Sequence, residues 1–299
     1  MAYYQKLTDE QLLNALENDA KGLTDEALEI VKDEVERRNL NPDIIQLVAF
    51  QQEEQVSIQK AYNRNDAPVE VENRLKLEIS FQFLLDIFGM DHIRQKKILV
   101  PDSSDFPVLY NGSEASAFQT LKIIARQMEV PFENIKLDFY DDDIRLITEG
   151  SPGGLYHGTG DDGRYEISIV QTLLDEPEKM VATLAHEVAH IKLLGENRLQ
   201  ENDEPLTDLT TIFFGLGIFN ANAAFQTFAD SKYFGWSASG YLSQMEWGYA
   251  LALFAYARNE AQPAWASHLC TNVRADFRQG LNFILNNPDQ VSVNFEGSY

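Results

Sequence analysis

The sequence predicts a mostly helical α+β protein, in which a small mixed sheet precedes a helix bearing two histidines and a helical C-terminal subdomain follows. Apolar residues recur at helical spacing over most of the chain, whereas alternation of apolar and polar residues is confined to residues 135–170. Two Leu-Thr-Asp-Glu repeats near the N-terminus add a predicted helical hairpin. With 44% hydrophobic residues among 299, the chain can bury a sizeable core.

Charge and cysteine content narrow the classes of partner. The formal net charge is −23, and such a surface repels phosphate groups and anionic lipid, so we expect neither nucleic acid nor a membrane surface as partner. The single cysteine, Cys270, excludes a disulfide framework within the chain. The sequence shows no signal peptide and no apolar run near the ~20 residues that a membrane span needs. These features predict a cytoplasmic protein.

The first 62 residues are predicted to form an N-terminal helical cap. Each Leu-Thr-Asp-Glu repeat places a threonine N-cap before an apolar pattern, which predicts helices at about Asp9–Asp19 and Asp25–Arg38. This hairpin is expected either to pack on the main domain or to bind a protein partner. The polar stretch Asn63–Pro68 ends in proline and is the predicted linker.

Residues 69–287 are predicted to form the main domain, and the polar residues 288–299 a tail. The sheet part covers about 98–175 and the helical part about 176–287, because alternation gives way to helical spacing there. The turn residues Thr159–Gly163 predict a hairpin between the last two strands. The predicted elements are, in order, helices Glu72–Phe88 and Ala115–Glu129, strands Ile135–Tyr140, Ile144–Thr148, Leu155–Gly158 and Tyr165–Val170, the motif helix, and helices Leu206–Phe219, Tyr241–Asn259 and Ala264–Leu285.

The motif helix is predicted independently of its histidines. Asp175 is the expected N-cap, with Glu178 three residues later as its capping partner. Pro177 suits the first turn, and Gly195 can end the helix. Its apolar residues recur at helical spacing, so one face is expected to be buried.

This helix carries the segment His186-Glu187-Val188-Ala189-His190. Residues at i and i+4 of a helix lie on one face, about 5–6 Å apart, so the imidazoles of His186 and His190 can converge on one metal ion. Zinc accepts such nitrogens at about 2.0–2.1 Å. Glu187 is rotated by about 100° from His186 and can lie beside the metal without binding it. The spacing predicts a zinc (Zn2+) site with an adjacent carboxylate base.

A catalytic zinc has three protein ligands, and the third is expected downstream. Glu204 and Asp208 are four residues apart just before an apolar helix. One of them can bind the metal while the other accepts the N–H on the far side of a ligand histidine. Glu201 is a further candidate, because Pro205 places Glu204 at the very start of the helix.

The two segments together, HExxH followed by ExxxD, resemble the gluzincins, the thermolysin-like zinc metallopeptidases. The resemblance covers about Ile135–Phe219, and the gap between the segments is shorter than in thermolysin. It implies a zincin-like core and an edge strand that holds extended substrate, which would be Tyr165–Val170. The roles that it implies are zinc ligands for His186, His190 and Glu204, general base for Glu187, and hydrogen-bond partner of the first histidine for Asp208.

Such an enzyme needs a donor that stabilises the oxyanion. In the resembling enzymes this donor is a tyrosine or histidine on a later helix. Tyr241 is preferred, because it follows a glycine-rich aromatic segment and opens a predicted helix, whereas Tyr249, His268 and His157 are alternatives. A buried tyrosine that anchors loop packing would explain Tyr241 equally well.

Three function classes follow. The first is a zinc metallopeptidase that acts on a peptide or protein substrate. The second is a non-catalytic, zincin-like binding or regulatory protein whose N-terminal helices bind a partner. The third is a helical interaction protein in which the histidine pattern arises by chance.

Overall fold

The computed structural model describes residues 66–141, 153–224 and 242–295, together with residues 8, 9, 34, 35, 37, 38 and 40. The chain separates into two units, one of residues 1–63 with 229–234 and one of residues 64–228 with 235–299.

In the first unit, Nη1 of Arg38 lies 3.0 Å from Oδ1 of Asp9, which joins the start of the first predicted helix to the end of the second. Most of the predicted hairpin, the predicted strand Ile144–Thr148 and Tyr241 lie outside the described residues.

The described part of the second unit contains eight α-helices and a three-stranded sheet, so the prediction of a mostly helical α+β protein is confirmed. None of these helices has the length and apolar character that crossing a membrane requires. The helices are α1 (Val71–Phe88), α2 (Met90–Gln95), α3 (Glu114–Gln127), α4 (Pro177–His190), α5 (Glu204–Phe213), α6 (Gly217–Ala223), α7 (Gln244–Ala257) and α8 (Thr271–Asn286). The strands are β1 (Ile135–Tyr140), β2 (Gly154–Thr159) and β3 (Tyr165–Val170).

The sheet is mixed, as predicted, but its strand order differs from the expectation. The order is β1-β3-β2, with β1 parallel and β2 antiparallel to β3. The prediction that Tyr165–Val170 is an edge strand is therefore wrong. Residues Ile167 to Val170 are all buried, including the polar Ser168, because β3 is paired on both sides and α4 packs against the sheet. Among the described strands, β2 forms the edge nearer to the motif helix.

The motif helix α4 begins at Pro177 and lies against β2, β3 and helices α3, α5 and α6. The predicted cap Asp175 is wrong by one position: Glu176 precedes the helix, and its side chain makes no capping hydrogen bond. After His190 the backbone continues as one π-helical turn, Ile191–Gly195, so the predicted end at Gly195 is confirmed. Single π-turns in helices are frequent near functional sites.

Two predicted helices are each divided in the structure. The first, Leu206–Phe219, breaks after Phe213 because Gly215 has a φ of +74° and its carbonyl accepts the N–H of Leu99 at 2.9 Å. A side chain at this position would also clash with the carbonyl oxygen of Lys97. The second, Ala264–Leu285, divides into a 3-10 turn at Ala264–His268 and helix α8.

A buried carboxylate joins α1, α7 and the C-terminal segment. Glu78 is fully buried and accepts hydrogen bonds from Arg74 Nη1 at 2.7 Å, the Tyr249 hydroxyl at 2.7 Å and the Ser292 backbone N–H at 2.8 Å. Buried carboxylates need such partners, since an unpaired one is costly to desolvate. The segment that follows Pro288, predicted as a polar tail, thus packs on α1 as far as its described residues extend, with Val293 buried.

Candidate metal centre

Three side chains converge at the junction of α4 and α5. They are His186 and His190 of α4 and Glu204, the first residue of α5, and their ligand atoms all lie within 4.8 Å of one another. Oε2 of Glu204 is 3.0 Å from Nε2 of His186 and 3.5 Å from Nε2 of His190. The two imidazole rings meet edge to face, with centroids 4.9 Å apart. Both Nε2 atoms therefore point toward the same carboxylate oxygen.

The start of α5 explains how Glu204 reaches this position. The side chain of Asp203 caps the helix by accepting the Leu206 N–H at 2.9 Å, and Pro205 fits the first turn, where its missing N–H has no helical partner. The proline therefore favours this helix start. Asn202 Nδ2 donates to Oε1 of Glu204 at 2.7 Å and orients its carboxylate. The alternative candidate Glu201 is exposed on the preceding loop.

The outer nitrogens of both histidines face residues of α5. Nδ1 of His186 lies 2.9 Å from Oδ1 of Asp208, which is buried one turn beyond Glu204. Nδ1 of His190 lies 3.5 Å from the Thr207 hydroxyl. A partner at Nδ1 fixes the tautomer and the ring orientation, and leaves Nε2 available as a ligand.

Glu187 lies beside this cluster under strand β2. It is only 4% exposed, and the backbone of β2 at Gly154 approaches its carboxylate closely. Burial raises the pKa of Glu187 to about 7; the charge of Glu204 adds to this rise, whereas the charge of His186 and the Tyr156 backbone oppose it. The carboxyl group can thus exchange a proton near neutral pH.

The pKa values of the two histidines are shifted in opposite directions. Burial lowers the pKa of His186, but its hydrogen bonds to Asp208 and Glu204 outweigh burial and raise the pKa to about 10. Burial and the neighbouring charge of His186 lower the pKa of His190. The hydrogen bond to His186 lowers the pKa of Glu204. The carboxylates of Glu204 and Asp208 therefore lie on the two sides of a single positive charge on His186.

Sequence reasoning did not identify Tyr156 of β2, whose ring stacks on His190 at 5.9 Å with the planes 6° apart. The spacing within β2 could have identified it, because residues two apart on a strand share a face and Gly154 and Tyr156 are two apart. That face covers the motif helix.

The structure describes three of the candidates for the oxyanion donor, and each has surroundings of its own. The Tyr249 hydroxyl donates to Glu78 between α7 and α1. His157 is exposed, with Nε2 at 2.8 Å from the Ser168 hydroxyl. His268 is exposed at the end of a 3-10 turn. The preferred candidate, Tyr241, lies outside the described residues.

No family model, curated protein or solved structure matches the chain. The resemblance to gluzincins therefore rests on the two motif segments and on the arrangement of their side chains.

Proposed function

We propose that this protein is a zinc-dependent hydrolase, specifically a gluzincin-like metallopeptidase that acts on a peptide or protein substrate. The observation that carries the proposal is the convergence of His186, His190 and Glu204 beside the buried carboxylate of Glu187. Two imidazole nitrogens and one carboxylate oxygen are a donor set of catalytic zinc sites, which keep a fourth position for water or substrate.

The separations between the Glu204 oxygen and the two histidine nitrogens fit this ion. Zinc–ligand bonds of about 2.0–2.1 Å in a tetrahedral site place neighbouring donor atoms about 3.3 Å apart. The observed separations of 3.0 Å and 3.5 Å between Glu204 Oε2 and the two imidazole Nε2 atoms lie on either side of that value. All the ligand atoms of His186, His190 and Glu204 lie within 4.8 Å of one another, so binding one ion would require the side chains to adjust until each pair of donor atoms approaches the tetrahedral separation.

Each protein group would have a defined role in hydrolysis. When bound, zinc lowers the pKa of a water molecule and polarises the scissile carbonyl. Glu187, with a pKa of about 7, accepts a proton from the attacking water and passes it to the leaving amine. Asp208 accepts the Nδ1–H of His186 and keeps Nε2 directed at the site. Strand β2 can hold an extended peptide by backbone pairing, the role first expected of Tyr165–Val170.

Replacement of Glu187 by glutamine tests the proposal. The variant Glu187→Gln should bind zinc as the wild type does but lose hydrolysis of a broad peptide library by at least about 100-fold, because the amide cannot accept the proton. Glu178→Gln, which changes an exposed carboxylate on the same helix, is the control and should keep activity.

A zinc-loaded wild-type protein that cleaves no peptide in the library would contradict the hydrolase. That outcome would favour the alternative, a zincin-like binding or regulatory protein with an interaction role for the N-terminal helices.

A further inference from the structure

Strand β2 comes unusually close to the motif helix at Gly154. A Cβ atom placed on Gly154 would lie 2.6 Å from Cγ2 of Thr183, 2.7 Å from Oε1 of Glu187 and 2.9 Å from its Cγ. Real Cβ atoms essentially never approach other heavy atoms to under 3.0 Å. The φ angle of Gly154 is not in the left-handed region, so the need for glycine here is one of space alone.

We propose that Gly154 is the positioning residue for the general base: its missing side chain lets the backbone of β2 lie against Glu187 and fix the carboxylate beside the histidines. The inference rests on the proposed function, since it assigns Gly154 a part in that reaction. It extends the site from the motif helix and α5 to the strand on the opposite side.

The surroundings explain why a methyl group at this position would displace Glu187. The strand is held in register by the pairing of Gly154 with Ile169 of the central strand, and Ile169 is fully buried. Thr183 is β-branched and helical, so its rotamer freedom is small. The carboxylate of Glu187 ends a longer side chain with more rotatable bonds, and it is the group that can move away.

A displaced carboxylate would affect hydrolysis much more than zinc binding. The three atoms nearest to the added Cβ belong to Thr183 and Glu187, and none belongs to a proposed zinc ligand. A misplacement of about 1 Å at a reacting group can cost about 100-fold in rate. The signature of a positioning role is therefore a loss of kcat with KM and zinc affinity preserved.

Gly154→Ala is the test variant, and Gly153→Ala is its matched control. A Cβ on Gly153 would meet Cδ1 of Leu173 at 3.2 Å and Oγ1 of Thr183 at 3.5 Å, which are side-chain ends. For the zinc-loaded protein we expect Gly154→Ala to lower kcat about 10- to 100-fold, with KM and zinc affinity within about threefold of wild type. The control should stay within about twofold in all three.

A measurement on the metal-free protein tests the contact without any activity. Gly154→Ala should lower the melting temperature by about 3–10 °C, the range expected for one extra methyl in a packed site. A Cβ on Gly154 would also lie 2.6 Å from Cγ2 of Thr183, so the comparison is made in protein that carries Thr183→Ser, which lacks that atom. There, adding Glu187→Ala should reduce the cost of Gly154→Ala to at most about half, because the clash with Glu187 has been removed. If Gly154→Ala does not fold in the Thr183→Ser protein, adding Glu187→Ala should restore a cooperative unfolding transition.

The outcomes separate this inference from the proposed function. In the Thr183→Ser protein, an equal melting-temperature loss with and without Glu187→Ala, or failure of Glu187→Ala to restore folding, would overturn the positioning role of Gly154. An unchanged kcat in Gly154→Ala would overturn it too. If the zinc-loaded wild type is itself inactive, the hydrolase proposal fails, and the thermal comparison still decides whether Gly154 holds Glu187 in place.

Discussion

The Nδ1 atom of His186 lies 2.9 Å from Oδ1 of Asp208, on the side of the ring opposite to the Nε2 atom that faces Glu204. This contact divides the roles of the two acidic residues of α5. A carboxylate at Nδ1 orients the imidazole and raises its basicity, whereas a carboxylate at Nε2 shares the space in which a metal ion would bind. The i, i+4 spacing of Glu204 and Asp208 on one helix face sets both contacts at once.

The first prediction concerns the third zinc ligand. Glu204→Ala should abolish zinc binding, because it removes a donor atom. Asp208→Ala should weaken binding by about 10- to 100-fold, because it removes only the carboxylate that orients His186. Glu201→Ala, on the exposed loop, should bind zinc as the wild type does. Zinc titration against a chromophoric chelator measures all three. Loss of binding in Glu201→Ala would instead make Glu201 the ligand.

Zinc affinity is predicted to rise with pH. In the metal-free protein the pKa of His186 is about 10, so near neutral pH its imidazole must lose a proton before Nε2 can bind the metal. Apparent affinity should then increase about tenfold per pH unit between pH 7 and 8.5, with about one proton released per zinc. Calorimetry in buffers of different ionisation enthalpy measures the release. An affinity independent of pH over this range would contradict the protonation assigned to His186.

The stability of the metal-free protein should fall between pH 7 and 10. Since the folded pKa of His186 lies above its unfolded value of 6.5, its contribution to stability is complete below pH 6.5 and is lost as pH rises through 10. The penalty from the raised pKa of Glu187 grows as pH rises from 4.5 through about 7 and is constant above about pH 8.

Urea unfolding in the presence of a chelator should show a loss on the order of 1 to 3 kcal/mol across this window. Asp208→Asn, which removes one of the two charges that hold the proton on His186, should show a shallower slope. An equal slope in the variant would argue that another group titrates.

Tyr249 is predicted to stabilise the fold and to play no part in catalysis. Its hydroxyl donates to the buried Glu78 at 2.7 Å, so Tyr249→Phe should cost about 1–3 kcal/mol of unfolding free energy and leave kcat within about twofold. Tyr256→Phe, which removes the hydroxyl of a half-buried tyrosine on the same helix, is the comparison for denaturant unfolding. A large loss of kcat with unchanged stability would return Tyr249 to the candidates for the oxyanion donor.

Local patterns predicted most of the described elements. Alternation predicts β1, the turn residues Thr159–Gly163 predict the β2–β3 hairpin, and Pro177 and Gly195 mark the limits of the motif helix and its π-turn. These signals depend on neighbours along the chain, which the sequence displays directly. The convergence of the motif histidines with Glu204 also follows from short spacings, since only thirteen residues separate His190 from Glu204.

The order of the strands and the close contacts at Gly154 and Gly215 depend on distant parts of the chain, so local sequence patterns do not predict them. The resemblance to gluzincins implies that Tyr165–Val170 is an edge strand, but β3 is paired on both sides and even its Ser168 is buried. The segment Ser151-Pro-Gly-Gly154 predicts a turn from its composition, and only the distance from Gly154 to Glu187 shows why glycine stands there. The break at Gly215 likewise arises from its contacts with the chain at Lys97 and Leu99.

The metal content of the purified protein tests the central claim most directly. After incubation with excess zinc and removal of the free ion, the wild type should retain one zinc per chain and melt at a higher temperature than the chelator-treated protein. His190→Ala should retain none and show no such shift. A wild-type protein that holds no zinc, and whose melting temperature zinc leaves unchanged, would contradict the metal centre and the hydrolase built on it.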